Sequence, residues 1–279
     1  MSIIVPEIYS QLVTEKVKGN IKISALATDL GELDQFSQEG DSITFPQFSA
    51  LSDAELVVKG VAISTEELAQ TSTKKLVKHY GKGVEIYDIE ALTGKGNFLE
   101  NGVSQQARIF ARALDNEMVA DIDANAILKK SVVGASAITE AELQGALQLF
   151  GDDQDNSTFA GIVINSLLLP SFYGMDGFVN SNITYSKEGN GQIENGVIGY
   201  YRGSIPVILS DVNTYDTVSN ECKTYIIKKG SLGRKDKRGV LIEVARDASK
   251  KKNDVFADIM FAVGLIQNDG VVIVRKTIV

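Results

Sequence analysis

Tryptophan is absent from the 279 residues, and cysteine and histidine occur once each, as Cys222 and His79. A single cysteine cannot close a disulfide within the chain, which fits synthesis in a reducing cytoplasm. A single histidine excludes a zinc site built from a histidine cluster, and a Ser-His-Asp triad would have to use His79. Proline is scarce, with four residues. Positive charge is in deficit: 28 Lys and Arg against 36 Asp and Glu leave a formal net charge of −8. Sequence-specific grip on nucleic acid needs a basic footprint, so the composition argues against it. It does not argue against a wall around nucleic acid, because a wall need not neutralise phosphates. No apolar run reaches about 18 residues, so no helix is expected to span a membrane. The opening MSIIVPEIYSQL has neither the basic start nor the apolar stretch of a signal peptide.

What is present is a hydrophobic fraction of 44%, enough at this length for one large or two smaller cores. The chain is organised around Asn97 to Lys130. That stretch holds no proline, and its one glycine, Gly102, falls in the first turn. Leu99, Val103, Ala107, Phe110, Leu114, Met118, Ile122 and Ala126 recur along one side of a 3.6-residue helix. Arg108, Arg112, Asp115 and Asp123 fall on other faces. Asn97 is placed to cap the start, with Glu100 three residues on in the capping-box position. Val132-Val133-Gly134 is the expected end, with Lys129 and Lys130 near the negative pole of the dipole. Such a helix would be about 50 Å long, several times an ordinary one.

Before this spine, Ser2 to Pro6 reads as extended and Glu7 to Lys18 as a short helix burying Ile8, Leu12 and Val13. Residues 1–36 thus form an arm with little core of its own. Ile43 to Pro46, Ala54 to Lys59 and Thr71 to Lys78 read as strands, after a turn at Glu39-Gly40-Asp41-Ser42. From Gly40 to about Ile89 the pattern is a long β-hairpin with polar faces. It has too few large apolar residues to be stable alone, so a neighbouring subunit is the expected support.

After the spine, Thr139 starts a capped helix running to about Phe150. The acidic loop 151–156 lacks the glycine and terminal glutamate of a calcium loop. Gly161 to Asn165 reads as a buried strand, followed by a helical stretch that Pro170 would end. Turn signals at Gly189-Asn190-Gly191 and Glu194-Asn195-Gly196 precede a strand, turn and strand over 197–210. Further strands are expected at 223–228, 239–245, 254–265 and 271–277, with Asp247 to Asn253 as a solvated charged turn.

No motif for chemistry survives inspection. Gly94-Lys95-Gly96-Asn97 lacks the spacing of a P-loop, and Gly199 to Gly203 joins strands where a dinucleotide fingerprint joins strand to helix. His79 sits in a strand-like run as a surface residue. Lys250-Lys251-Lys252 is too short for a nucleic-acid patch. No catalytic, cofactor-binding or metal-ligating residue is assigned, and no enzyme activity is expected.

The order of parts, with IIVPEIYSQLV at 3–13, EGDSITFP at 39–46, the spine, and NGVIGYYRGSIPVILSDV at 195–212, resembles the major capsid proteins of tailed bacteriophages. The resemblance implies an α+β, HK97-like capsid fold. Residues 1–36 would be the N-arm and 37–92 the extended E-loop hairpin. Residues 93–134 would be the spine helix of the P-domain, and 135–221 an α/β A-domain. Residues 222–279 would supply the C-terminal P-domain strands, with a return to the A-domain. It further implies hexamers and pentamers in an icosahedral virion shell around double-stranded DNA, bound without sequence specificity, and no membrane partner. A scaffolding protein and a portal protein would be the other partners, with assembly in the host bacterial cytoplasm. Because the arm begins at Met1, the scaffold is expected to be separate, or the chain to be the mature form. Some relatives crosslink an E-loop lysine to a neighbour's asparagine. Lys59, Lys74 and Lys75 lie in that region here, but no partner position matches, so no crosslink is expected. Three alternatives stand beside this reading. An encapsulin shell has the same fold but opens with a cargo-binding helix, whereas the arm here reads as more extended. A soluble enzyme would need His79 or clustered carboxylates in a deep pocket. A tail-tube protein would lack the spine.

Overall fold

The computed structural model describes residues 6–32, 42–48, 70–94, 98–152, 154–155, 157–180 and 196–278, and between the hairpin strands residues 54, 56–57, 59–60, 62–63 and 65–68. In chain order the elements begin with α1 (Pro6–Asn20), β1 (Thr28–Glu32), β2 (Ser42–Phe48), β3 (Gln70–Leu76), β4 (Lys78–Tyr87), α2 (Asp88–Thr93) and the long α3 (Phe98–Asn125). Then come β5 (Leu128–Ser131), α4 (Glu140–Leu147), β6 (Phe159–Ile164), α5 (Leu169–Tyr173), β7 (Phe178–Asn180), β8 (Val197–Tyr201) and β9 (Ile205–Leu209). The last are β10 (Tyr215–Asp216), β11 (Glu221–Cys222), β12 (Thr224–Lys228), β13 (Leu232–Asp247), β14 (Lys252–Leu265) and β15 (Val271–Arg275).

Two larger sheets share the spine. A four-stranded sheet runs β1-β13-β14-β4, and a seven-stranded sheet runs β5-β15-β12-β6-β9-β8-β7. The second is buried on both faces in its middle, and alternation assigns each side chain to one of them. Val163, Tyr225, Ile227, Val271 and Ile273 join the core under α3. Ile162, Ile164, Ile226, Val272 and Val274 point the other way, into a second core roofed by α4 and α5. The spine's stripe from Val103 to Ala126 is buried at every predicted position whose side chain is described, so α3 lies over both sheets and not in a bundle. Asn97 and the side chain of Leu99 lie outside the described residues.

The spine is shorter than its pattern suggests. It has 28 residues, about 42 Å, and ends at Asn125. Leu128 to Ser131 leave as a strand parallel to β15, with Leu128 opposite Val272. The ladder satisfies backbone groups that a fraying helix end would leave to water. The apolar stripe has already stopped, since Ile127 is 68% exposed.

The N-terminal helix keeps its place but not its register. Tyr9, Val13 and Val17 are buried against α3 and β13, whereas Ile8 and Leu12 are 58% and 45% exposed. The tyrosine decides this: its ring packs inward while its hydroxyl donates to Gln106 Oε1 at 2.8 Å, satisfying a buried polar pair. Residues 2–5 lie outside the described residues. After α1, the fully buried Asp115 accepts backbone N–H bonds from Lys22 at 3.0 Å and Ser24 at 2.8 Å. Burial pushes the Asp115 carboxyl up, and those donors partly offset it.

Four other expectations are corrected. Residues described between 54 and 59 form no strand and are exposed. The stretch 78–87 is not part of the free ribbon; β4 pairs along its whole length with β14. Pro170 stands in the first turn of α5 and opens that helix, where its missing N–H costs nothing. The turn 247–253 closes the β13–β14 hairpin, but Lys252 in it is 6% exposed and ion-paired. The cap at Thr139 forms as expected: its side chain accepts from Glu142 N–H, and the Glu142 carboxylate accepts from Thr139 N–H at 2.8 Å. The turn signals at 189–191 and 194–195 lie outside the described residues.

Candidate assembly surfaces

The β2–β3 ribbon is buried at one end and leads into an exposed segment at the other. Its base is plugged into the body. Ile43 and Phe45 are buried with Ala262, and Val77 and Ile266 pack alongside. The Phe45 ring lies 2.9 Å from where a Cβ on Gly233 would stand, so a residue with no side chain is needed there. A polar tie holds the same end. Lys75 Nζ donates to Asp121 Oδ2 at 2.5 Å, and the same oxygen accepts Leu265 N–H at 2.6 Å. Asp121 is a spine residue, so the ribbon is fastened to both α3 and β14.

Beyond the ribbon strands the covering stops. Each residue described between 54 and 68 is exposed, including Leu56, Val57, Ile63 and Leu68. Leu56 is 92% exposed and Ile63 70%. Apolar side chains gathered on one uncovered segment mark an interaction surface, whereas scattered ones do not.

The face of the four-stranded sheet turned away from α3 carries the second open surface. Phe256 is 49% exposed there and Leu241 39%. His79 Nε2 lies 2.8 Å from Asp258 Oδ2, a carboxylate that Arg238 also engages. Lys252 bridges Glu85 at 2.7 Å and Asp254 at 3.0 Å. The Lys252 ammonium holds the Glu85 carboxyl below the usual range. Arg246 clamps Asp88 with two bonds, of 2.7 and 2.5 Å. These pairs fix the long β13–β14 hairpin to β4 and α2.

The remaining polar clusters tie the spine and sheets together. Tyr80 donates to Glu117 on the spine, and that bond together with burial pushes its hydroxyl up to about 12. Asp123 accepts from Lys223 at 2.7 Å and from Tyr225 at 2.9 Å. The buried Glu221 accepts from Arg275 Nε at 2.6 Å and from Thr277 N–H at 2.9 Å. Burial alone would raise Glu221; those donors outweigh it and hold the carboxyl low.

His79 lies on an open strand with a carboxylate as its partner. Cys222 is buried, and burial pushes its thiol up, away from the nucleophilic thiolate. Among the described residues no group of three His, Cys, Asp or Glu side chains could hold a metal ion, and no helix is long and apolar enough to cross a membrane.

The fold is one found in solved capsid structures. The fold matches the capsid of cyanophage P-SCSP1u with a TM-score of 0.63 at 13% identity, covering 92% of this chain and 88% of that one. It matches the capsid of an empty GTA particle with a TM-score of 0.65 at 9% identity, covering 94% and 90%. This is the HK97-like α+β capsid fold. The sequence itself is 26% identical over 257 residues to a protein named major capsid protein, from Staphylococcus phage phiMR11, covering 91% of this chain and 87% of that one. No protein-family model matches. The likeness to tailed-phage major capsid proteins drawn from the sequence stands. The contrast with encapsulins drawn there does not hold as stated, since residues 6–20 are helical and not extended. The relatives named here are phage and GTA capsids and lend the encapsulin reading no support.

Proposed function

We propose that copies of this chain build the head of a tailed phage, as hexamers and pentamers closing an icosahedral shell around double-stranded DNA. The observation that carries this reading is the likeness, over nine-tenths of the chain, to a protein named major capsid protein. The geometry supports it: a ribbon anchored at one end and uncovered at the other gains burial only when a second copy is present. In this reading residues 1–36 are the N-arm, 37–92 the E-loop and 93–134 the spine of the P-domain. Residues 135–221 are the A-domain, and 222–279 the terminal strands. The split of those strands fits the expected return, because β12 and β15 lie in the seven-stranded sheet and β13 and β14 in the other. A scaffolding protein and a portal complete the particle, which forms in the host cytoplasm. The net charge of −8 keeps the wall from adhering to its cargo.

Negative-stain microscopy of the purified chain, alone and co-expressed with its scaffold, tests the proposal. Closed particles or six-membered rings are expected. A monodisperse monomer at high concentration under both conditions overturns it.

A further inference from the structure

We propose that the exposed face of α3, from Asn101 to Asn125, is the surface a subunit turns toward the enclosed nucleic acid, with Arg108 and Arg112 meeting backbone phosphates. The inference rests on the shell reading above and names the surface and side chains that touch the cargo.

The spine sorts its charges. From Asn101 onward it carries four carboxylates, and each is turned to a partner in its own subunit. Asp115 is buried against the backbone of Lys22 and Ser24. Glu117 takes Lys78 and Tyr80, Asp121 takes Lys75, and Asp123 takes Lys223 and Tyr225. The positions left exposed hold asparagine, glutamine, alanine, one isoleucine and the two arginines, with no carboxylate among them. A helix face that needs only to be soluble mixes both signs. In this chain acidic residues outnumber basic ones by 36 to 28, yet about seven turns of helix show no negative charge to the outside.

Neighbouring cations extend the pattern. Arg108 and Arg112 stand four residues apart, about 6 Å along the axis. Four residues before Arg108, Ser104 accepts from Lys16 Nζ of α1 at 2.7 Å. Beside Arg112 lies Asp211, 2.7 Å away. Burial alone would raise the Asp211 carboxyl, but Arg112 and the nearby Lys22 hold it low. Arg108 is exposed and has no carboxylate partner among the described residues. Asp211 and Glu15 adjoin these four cations and leave the patch positive.

Charge complementarity selects the occupant. A DNA duplex presents one negative charge per about 1.7 Å of its axis, so cations spaced at helical turns find phosphates in any register. Arginine, asparagine and glutamine are residue types that contact phosphate without reading sequence. A second copy of a chain with net charge −8 offers no such density of negative charge. A few contacts per copy are salt-labile, so the wall touches its cargo without gripping it.

The test places a photoreactive benzophenone amino acid at position 109 in DNA-filled particles, and in a second preparation at position 173. Ile109 and Tyr173 are both exposed, but Tyr173 is on α5, across the seven-stranded sheet from α3. Irradiation and nuclease digestion are expected to leave nucleotide adducts at 109 and none at 173. Adducts at 109 to protein alone, such as an acidic scaffold segment, or nucleotide adducts at 173 instead, overturn the proposal and leave the shell reading standing. A second measurement tests the arginines. The unassembled natural chain is expected to bind a short fluorescent duplex at low salt. In the Arg108→Gln, Arg112→Gln chain the slope of log Kd against log salt is expected to fall by about two. Its melting temperature is expected to hold, because both side chains are exposed. No binding by the natural chain, or an unchanged slope, overturns the phosphate contact. Failure of the natural chain to form particles overturns the shell reading as well.

Discussion

Leu114→Asp unfolds the subunit. Leu114 is fully buried in the core that joins α1, α3 and faces of both sheets. Removing its packing costs roughly 2–5 kcal/mol, and burying a carboxylate without a partner adds several more. A domain's whole stability is about 5–15 kcal/mol. The neighbouring residue shows what tolerance would require. Asp115 is as deeply buried, but it receives the N–H groups of Lys22 and Ser24. Leu114 instead sits in a cluster of buried apolar side chains. Leu114→Met keeps volume and polarity and is expected to cost less than about 1.5 kcal/mol. Circular dichroism and gel filtration of the two variants separate the outcomes. A folded Leu114→Asp protein with an unchanged melting temperature would show that the spine's inner face is misassigned.

Phe45→Ala frees the ribbon and leaves the body folded. Phe45 is fully buried in a small cluster of its own, with Ile43 and Ala262. Truncating a buried phenylalanine costs about 3–5 kcal/mol. A two-stranded ribbon is marginal by itself, and the Lys75–Asp121 tie is partly exposed, so it does not replace the ring. The loss is therefore local. Protease cleavage within the paired strands 42–48 and 70–76 is expected to quicken about 100-fold, since opening becomes cheaper by roughly 2.7 kcal/mol or more. The main thermal transition is expected to stay in place and particle yield to collapse. A global loss of structure, or unchanged cleavage, would contradict the plug.

What was legible in the sequence was what a single period could write. The spine's stripe survived because its residues face one continuous core. Its C-terminal boundary did not, since β15 competes for residues 128–131 and its ladder is a tertiary fact. The register of α1 turned on one hydroxyl reaching Gln106, 97 positions away. β13 begins at Leu232, seven residues before its apolar run, because Arg234, Asp236 and Arg238 look like a loop until their partners are seen. Arg234 pairs with Asp236 at 2.6 Å, and Arg238 with Asp258 on the next strand. Lys252 escaped for the same reason, its partners being Glu85 and Asp254. The strand expected at 54–59 is instructive in the opposite sense. The described residues of that stretch are exposed and form no strand, because nothing among the described residues pairs with them.

The central claim is that one copy leaves uncovered what the next copy covers. Amide hydrogen exchange, compared between free subunits and assembled particles, measures this segment by segment. Residues 54–68 are expected to exchange at near the unprotected rate in free subunits and to slow by about 100-fold or more in particles, while α3 is protected in both. Equal, strong protection of 54–68 in the free subunit would mean that the ribbon is satisfied within its own chain, and would contradict the account.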